Sequence, residues 1–214
     1  SDVSHELRTP ITVILAQSDY ALQYSDTFEE AKESLEVINR HAKRMTNLIN
    51  QIMELSKLER QKEIEKEKIN LSNIVLQLLE DYKPLLESKN LNLVYNVEKD
   101  LRIQGNKIML ERVFLNILMN AVKFTKTNIE VSLTREDKTA VLKIRDDGIG
   151  ISEENKKFIW ERFFQVNDSR NKEENKGSGL GLSMVKKIVD LHSATIDLES
   201  ELEQGTCFTI KFNM

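Results

Sequence analysis

The feature that most constrains this chain's fold is a heptad seam near its start. Phe28, Ala31, Leu35, Ile38, Ala42, Met45, Ile49 and Ile52 recur at alternating intervals of three and four. That spacing keeps one side of an α-helix apolar, and it predicts a helix over about residues 28 to 62. Ahead of it, Val3, Leu7, Ile11, Ile14 and Ala21, widened by Leu15 and Leu22, predict another helix over residues 1 to about 24. Ser25-Asp26-Thr27 breaks the first helix and caps the second. Helices joined by so short a turn run antiparallel, and two amphipathic helices enclose no core. The expectation is a hairpin that pairs with a second copy into a four-helix bundle. A hairpin packed on its own C-terminal domain is the alternative.

The charge run Arg60-Gln61-Lys62-Glu63-Ile64-Glu65-Lys66-Glu67-Lys68 marks the expected boundary, with residues 1–65 as one domain and 66–214 as the other. Beyond it the period changes. Ser72 is expected to cap a helix running to about Lys89. Residues 91–97 and 101–104 alternate as strands. A helix over about 106–124 follows, then paired strands at 128–134 and 139–145 around Glu136-Asp137-Lys138. Residues 155–160 suggest a short helix and 165–178 a mobile loop. A helix over about 179–192 leads to strands at 195–200 and 206–212, joined at Gln204-Gly205. Strands on one side and helices on the other make an α+β sandwich.

Hydrophobic residues are 40% of the chain and charged ones 31%, enough for a core and a solvated surface. The net charge of −4 gives no reason to expect nucleic acid as a partner. A single cysteine, Cys207, excludes an internal disulfide and a cysteine metal site, and fits a reducing compartment. No apolar run reaches the ~20 residues that span a bilayer.

Three stretches carry candidate chemistry. In the helix expected at 106–124, Ile108, Val113, Phe114, Ile117, Leu118, Ala121 and Val122 form the apolar stripe. Asn116 and Asn120, four apart, share another side, with Lys123 one turn on. Stacked amides beside an ammonium suit a hydrated cation and phosphate, and equally fit two solvated or satisfied side chains. Asp146-Asp147-Gly148-Ile149-Gly150-Ile151 follows a strand directly. Its glycines let backbone approach a flat ligand, and Asp146 can accept from an exocyclic amine; a hairpin turn explains the same letters. Gly177-Ser178-Gly179-Leu180-Gly181-Leu182 opens a helix, where free N–H groups and the dipole favour a phosphate. It is neither a Rossmann fingerprint nor a Walker loop, since no strand precedes it and Gly-Lys-Ser/Thr is absent.

Read in order, S-H-E-L-R-T-P (4–10), N-I-L-M-N-A-V-K-F-T (116–125), D-D-G-I-G-I (146–151), W-E-R-F-F-Q (160–165), G-S-G-L-G-L (177–182) and Q-G-T-C-F (204–208) resemble the catalytic core of a sensor histidine kinase of two-component signalling. The resemblance covers the whole chain. It implies a phosphoacceptor hairpin in a homodimer, followed by an ATP-binding domain of the GHKL, or Bergerat, type. It makes His5 the phosphorylated residue and Glu6 the acceptor of its ring proton. Asn120 becomes the Mg²⁺ ligand, with Asn116 and Lys123 supporting metal and phosphates and Phe124 the nucleoside. Asp146 would read adenine, helped by Thr206 through water, and Gly148 and Gly150 would leave room for the base before Ile151. Phe163 and Phe164 would anchor the loop at 165–178, and Gly177, Ser178, Gly179, Leu180, Gly181 and Leu182 would wrap the phosphates.

The implied reaction is autophosphorylation from ATP, then transfer to an aspartate of a response-regulator receiver domain. Thr9, one turn from His5, would hold a water for the reverse dephosphorylation; it also simply suits the position before Pro10. Two departures stand out. Asp147 replaces the family's usual Asn, adding a negative charge near the nucleotide, and His192-Ser193-Ala194 replaces His-Gly-Gly. GHKL ATPases carry a Glu four residues before the metal Asn; here that residue is Asn116, too weak a base for water. A scaffold with a dead nucleotide site is disfavoured by Asn120, Lys123, Asp146 and the glycines together. Whole proteins of this kind place a sensor and membrane spans ahead of the acceptor box, so the chain reads as the cytoplasmic portion of a membrane-anchored sensor.

Overall fold

The computed structural model describes residues 2–166 and 177–214. The chain divides into two compact units, Ser1–Lys57 and Leu58–Met214. No helix among the described residues is long and apolar enough to cross a membrane.

The first unit is built from two helices, α1 (Asp2–Tyr24) and α2 (Phe28–Arg60), the latter running on past its end. Thr27 Oγ1 accepts from Glu30 N–H at 3.3 Å, and Glu30 reaches back to Asp26 N–H at 3.0 Å. These bonds satisfy donors that a helix start leaves free. Pro10 in α1 and Ser34 in α2 are both buried, which a lone helix cannot do for itself. On α2 the buried residues Ser34, Leu48 and Leu55 follow one heptad line. The neighbouring line is different: Phe28 is 79% exposed, Leu35 60% and Ile49 42%. Half of the expected seam is therefore left uncovered within one chain, as is Leu22 of α1 at 82%.

The second unit opens with β1 (Glu67–Asn70), a strand hidden in the charge run, which pairs antiparallel with β3 (Arg102–Gly105). Helix α3 (Leu71–Ser88) follows at once. Its cap is Asn70, whose side chain accepts from Asn73 N–H at 3.1 Å. Ser72, expected to cap, is inside the helix and buried. Its hydroxyl donates to Glu98 O at 2.6 Å and accepts from Leu101 N–H at 3.0 Å, because the chain returning to β3 covers it. After β2 (Asn92–Val97) and β3 comes α4 (Lys107–Phe124), then β4 (Asn128–Glu136), β5 (Thr139–Asp146), the single turn α5 (Glu153–Lys156), α6 (Gly181–Leu191), β6 (Thr195–Glu201) and β7 (Gly205–Asn213). The short helix thus starts before 155. Residues 167–176 of the loop expected at 165–178 lie outside the described residues.

The strands order β2-β4-β5-β7-β6, with β2 parallel to β4 and the other pairs antiparallel. Alternation along β4 buries Ile129, Val131 and Leu133; Leu142 and Ile144 of β5 continue the apolar face. Against it lie Val113, Phe114, Ile117, Leu118 and Ala121 of α4 and Val185, Ile188 and Val189 of α6. Burying each of the larger side chains stabilises by about 1.5–3 kcal/mol. Ile108, placed in the stripe by sequence, is 71% exposed. It lies two residues, some 200°, from buried Leu110, which holds the inward position.

Candidate active site

In the first unit, the residues of interest lie in the early turns of α1. His5 and Thr9 are exposed one turn apart, Glu6 is half-buried and Pro10 buried. Pro10 has no N–H, so the Glu6 carbonyl loses its helical partner, yet α1 continues through it. The Thr12 hydroxyl donates to Arg8 O at 3.0 Å.

In the second unit, Asn116, Asn120 and Lys123 share one side of α4. The Asn116 amide donates from Nδ2 to Arg112 O at 2.9 Å, turning its Oδ1 away from its own helix. A Cβ added at Gly181 would sit 2.7 Å from that oxygen. Gly181 is the first residue of α6, so any side chain there would fill the gap between the two helices. Gly177 lies beside Lys123, whose Nζ would be 3.5 Å from a Cβ there and stands 4.6 Å from the centre of the Phe124 ring. The glycine segment therefore runs along the asparagine helix. No side chain caps the start of α6, which leaves its first N–H groups for an anion.

The same segment is held from its other side. Phe163 N–H donates to Gly179 O at 2.9 Å, and Gln165 Nε2 to Gly177 O at 2.8 Å. Gly179, at φ +70°, presses on the Phe163 backbone, which itself has φ +61°. Leu180 is buried, and Ser178 and Leu182 are half-buried. Leu180 N–H reaches Ser178 Oγ at 3.3 Å. Phe164 rests 5.7 Å from the Phe158 ring.

Asp146 ends β5, 7% exposed and in register with Thr206 of β7. Its Oδ1 accepts from Gly148 N–H at 2.9 Å. Burial pushes its carboxyl above the ordinary 3.8, against the backbone N–H groups of Gly148 and Thr206; the charge of Asp147 adds to the rise. Thr206 is tied by its hydroxyl to Ser200 at 2.9 Å, and Ser200 also accepts from Ile151 N–H at 2.8 Å. Ser200 was not singled out from sequence, although it faces Thr206 across the β6–β7 pair.

The packing adds two facts about this loop. The glycines expected to leave room for the base are also approached closely by the chain itself. A Cβ at Gly148 would meet Phe124 O at 2.3 Å, and one at Gly150, φ +67°, would meet Glu201 O at 1.9 Å. The chain itself thus requires both glycines. Asp147, expected to add charge beside the nucleotide, turns its carboxylate onto residues 125–128. Burial opposes its charge. The hydroxyls of Thr125 and Thr127 and the N–H groups of Thr127 and Asn128 outweigh that and hold the carboxyl far below its ordinary value.

Among the described residues no three ionisable side chains gather as a metal site. The donors on α4 are amide oxygens. Such a set suits Mg²⁺, which keeps waters and takes most remaining ligands from phosphates rather than from a protein cage.

Comparison with known proteins follows this division. Residues 1–61 match the His Kinase A (phospho-acceptor) domain, and residues 105–214 match the histidine kinase-, DNA gyrase B-, and HSP90-like ATPase. Histidine kinase P4 of Formosa agariphila is 36% identical over 98% of this chain, and sensor histidine kinase YkoH of Bacillus subtilis is 30% identical over 99%. The chain spans 16% of the first protein and 46% of the second. The fold is similar to that of histidine kinase ThkA, crystallised in complex with response regulator protein TrrA. The TM-score is 0.79 at 23% identity, covering 99% of this chain and 59% of that one.

Proposed function

We propose a function from the premise that this chain belongs to the sensor histidine kinases of two-component signalling. It uses ATP to phosphorylate its own His5 and passes the phosphoryl group to an aspartate of a response-regulator receiver domain. Residues 1–65 act as the acceptor and dimerisation hairpin, and residues 66–214 as the ATP-binding domain. The observation that carries the reading is the approach of Gly181 to the Asn116 amide. It joins two motifs far apart in sequence into one anion-binding corner, with Lys123 and Gly177 beside it.

In that corner the N–H groups at the start of α6 and the Lys123 ammonium take the phosphates. Asn120, supported by Asn116, would hold Mg²⁺, which when bound neutralises charge on the phosphate oxygens. Asp146 accepts from the adenine amine, and Thr206, steadied by Ser200, orients a water on the base. Phe124 packs on the nucleoside. A ring nitrogen of His5 attacks the γ-phosphorus: an N–P bond forms, the P–O bond to ADP breaks, and the ring proton passes to Glu6. Thr9 positions a water for removing the phosphoryl group from the regulator. Asn116 has no basicity to activate water, so no observation favours an ATPase.

The test is incubation with γ-labelled ATP, followed by acid treatment of the labelled protein. Phosphohistidine loses its label in acid. Label that survives acid, or no label at all with Mg²⁺ present, refutes the reading.

A further inference from the structure

We propose that Asp147 is a positioning residue of the nucleotide site, clamping the exit of α4 so that Lys123, Phe124 and Asp146 keep their mutual geometry. The proposal rests on the ATP reading above and adds to it a residue whose side chain points away from the ligand.

Six donors converge on this one carboxylate. Oδ1 accepts from Thr125 Oγ1 at 2.6 Å, Lys126 N–H at 3.0 Å and Thr127 N–H at 2.9 Å. Oδ2 accepts from Thr127 Oγ1 at 2.6 Å, Asn128 N–H at 3.0 Å and Asn128 Nδ2 at 2.8 Å. Two oxygens have about four lone-pair directions between them, so the carboxylate has little capacity left for anything else. Its charge is absorbed by the 125–128 turn.

The turn it holds is the one that ends the asparagine helix. Thr125 is the C-cap of α4, its N–H on Ala121 O. One residue earlier, the Phe124 carbonyl lies where a Cβ on Gly148 would be, 2.3 Å away, and that same Cβ would be 2.7 Å from Asp146 Oδ1. Pulling residues 125–128 onto Asp147 therefore closes Phe124 down over Gly148, against the carboxylate expected to read the base. Further bonds brace the clamp. Lys126 Nζ reaches Glu203 Oε2 at 2.8 Å, and Glu203 N–H donates to Ile149 O at 2.8 Å. The loops after α4, β5 and β6 are thus tied to one another around this side chain.

An Asn at 147 cannot copy the arrangement. Its one oxygen serves one set of donors, and its NH₂ then faces the other. Turned toward Oδ1's place it meets two backbone N–H groups; turned toward Oδ2's place it meets that of Asn128. At least one N–H stays unpaired.

The geometry separates two outcomes by sign. A carboxylate facing phosphate repels it, and Asp147→Asn would tighten nucleotide binding. A carboxylate acting as a clamp does the opposite. We expect Asp147→Asn to weaken the Mg²⁺ complex of AMPPNP roughly tenfold by titration calorimetry on the full chain, the size of one hydrogen bond to a charged group. Equal or tighter binding overturns the proposal, and so does a lower melting temperature with unchanged affinity, which is what a merely structural role gives. If Asp147→Asn fails to fold, Thr127→Val removes one hydroxyl and leaves the charge. A threefold loss of affinity there supports the clamp, and unchanged affinity overturns it. Wild-type protein that binds no nucleotide sinks the ATP reading itself, and the clamp's function with it.

Discussion

The two units treat apolar side chains in opposite ways. The sheet unit builds a closed core: Phe114, Leu118, Leu133, Ile144 and Ile188 are at most 2% exposed. The helical unit leaves Leu22, Phe28, Leu35 and Met53 at 60% exposure or more. Three helices on a five-stranded sheet enclose a volume, whereas two helices share only a line of contact. The sheet unit therefore encloses its own core, and the hairpin leaves an apolar line exposed. This explains why the buried line on α2, through Ser34, Leu48 and Leu55, lies beside the heptad seam rather than on it. One helix partner covers one line, and the other line stays exposed within one chain.

The division of labour in the proposed function makes the strongest way to break this comparison. His5→Gln should abolish labelling from ATP while nucleotide affinity stays at the wild-type value, because His5 is an exposed side chain of the helical unit. Acid-labile label on this variant would place the acceptor elsewhere. The converse is Asn120→Asp, which puts a carboxylate where phosphates are expected. Mg-nucleotide binding and labelling should both vanish by calorimetry and autoradiography, with the circular-dichroism melt within about 1 kcal/mol of wild type, as for a surface change. Wild-type affinity in this variant would remove Asn120 as the metal ligand.

The self-association predicted for the hairpin sharpens the comparison further. Light scattering should find the full chain dimeric at micromolar concentration and residues 67–214 monomeric. Leu35→Glu, a charge on the uncovered line, should shift the full chain toward monomer without altering nucleotide affinity. A monomeric wild type would mean that the exposed seam has some other partner.

A smaller effect is expected at Thr9, exposed one turn from His5. Thr9→Ala should keep autophosphorylation and lose dephosphorylation of the regulator. Equal loss of both would point to a defect in the helix at Pro10 instead, and unchanged dephosphorylation would remove Thr9 from the mechanism.

Periodicity made most elements of both units legible: Leu110 to Ala121 and Ile129 to Leu133 repeat at the intervals that helix and strand require. What it missed was carried by polar side chains whose partners are distant in sequence. The strand at 67–70 sits in a run of charges, and only pairing with residues 102–105 reveals it. Ser72 looks like a cap until Glu98 and Leu101 close over it. Asp147 looks like a stray charge until the Thr125 to Asn128 turn is seen to supply its donors. The Thr-Lys-Thr-Asn after the helix was the available signal, since that many donors in one turn need an acceptor. Of the candidate site, the motifs mark out residue sets and no more. The contacts of Gly148 and Gly150 with the protein's own carbonyls were beyond them, because a close approach of two backbones leaves no trace in residue type beyond glycine itself.

The smallest expected effect concerns how the sheet unit fixes its asparagine helix. His192 is buried at the end of α6. Its Nδ1–H donates to Ile188 O at 2.8 Å, and its Nε2 accepts from Asn106 N–H at 3.0 Å. Asn106 is the cap of α4, its side chain accepting from Met109 N–H at 3.2 Å. The bond from Asn106 needs an unprotonated Nε2, so the neutral ring is the one that fits. Burial lowers its pKa below 6.5; the Ile188 carbonyl works the other way and the charge of Lys66 adds to the fall. Below pH 6.5 the unfolded chain binds a proton that the folded chain resists. The contribution is therefore fully present above that pH and is lost as pH drops toward the folded value, at no more than about 1.4 kcal/mol per pH unit. Trp160, the only tryptophan, packs edge-on 6.0 Å from Phe208 of the sheet and reports melting of this unit alone. Denaturant melts followed by its fluorescence at pH 7.5 and 5.5 should show the acid loss in wild type and a shallower one in His192→Gln, which starts less stable but has no ring to titrate. Parallel losses in the two proteins would show that the imidazole between α4 and α6 does not couple this unit's stability to pH.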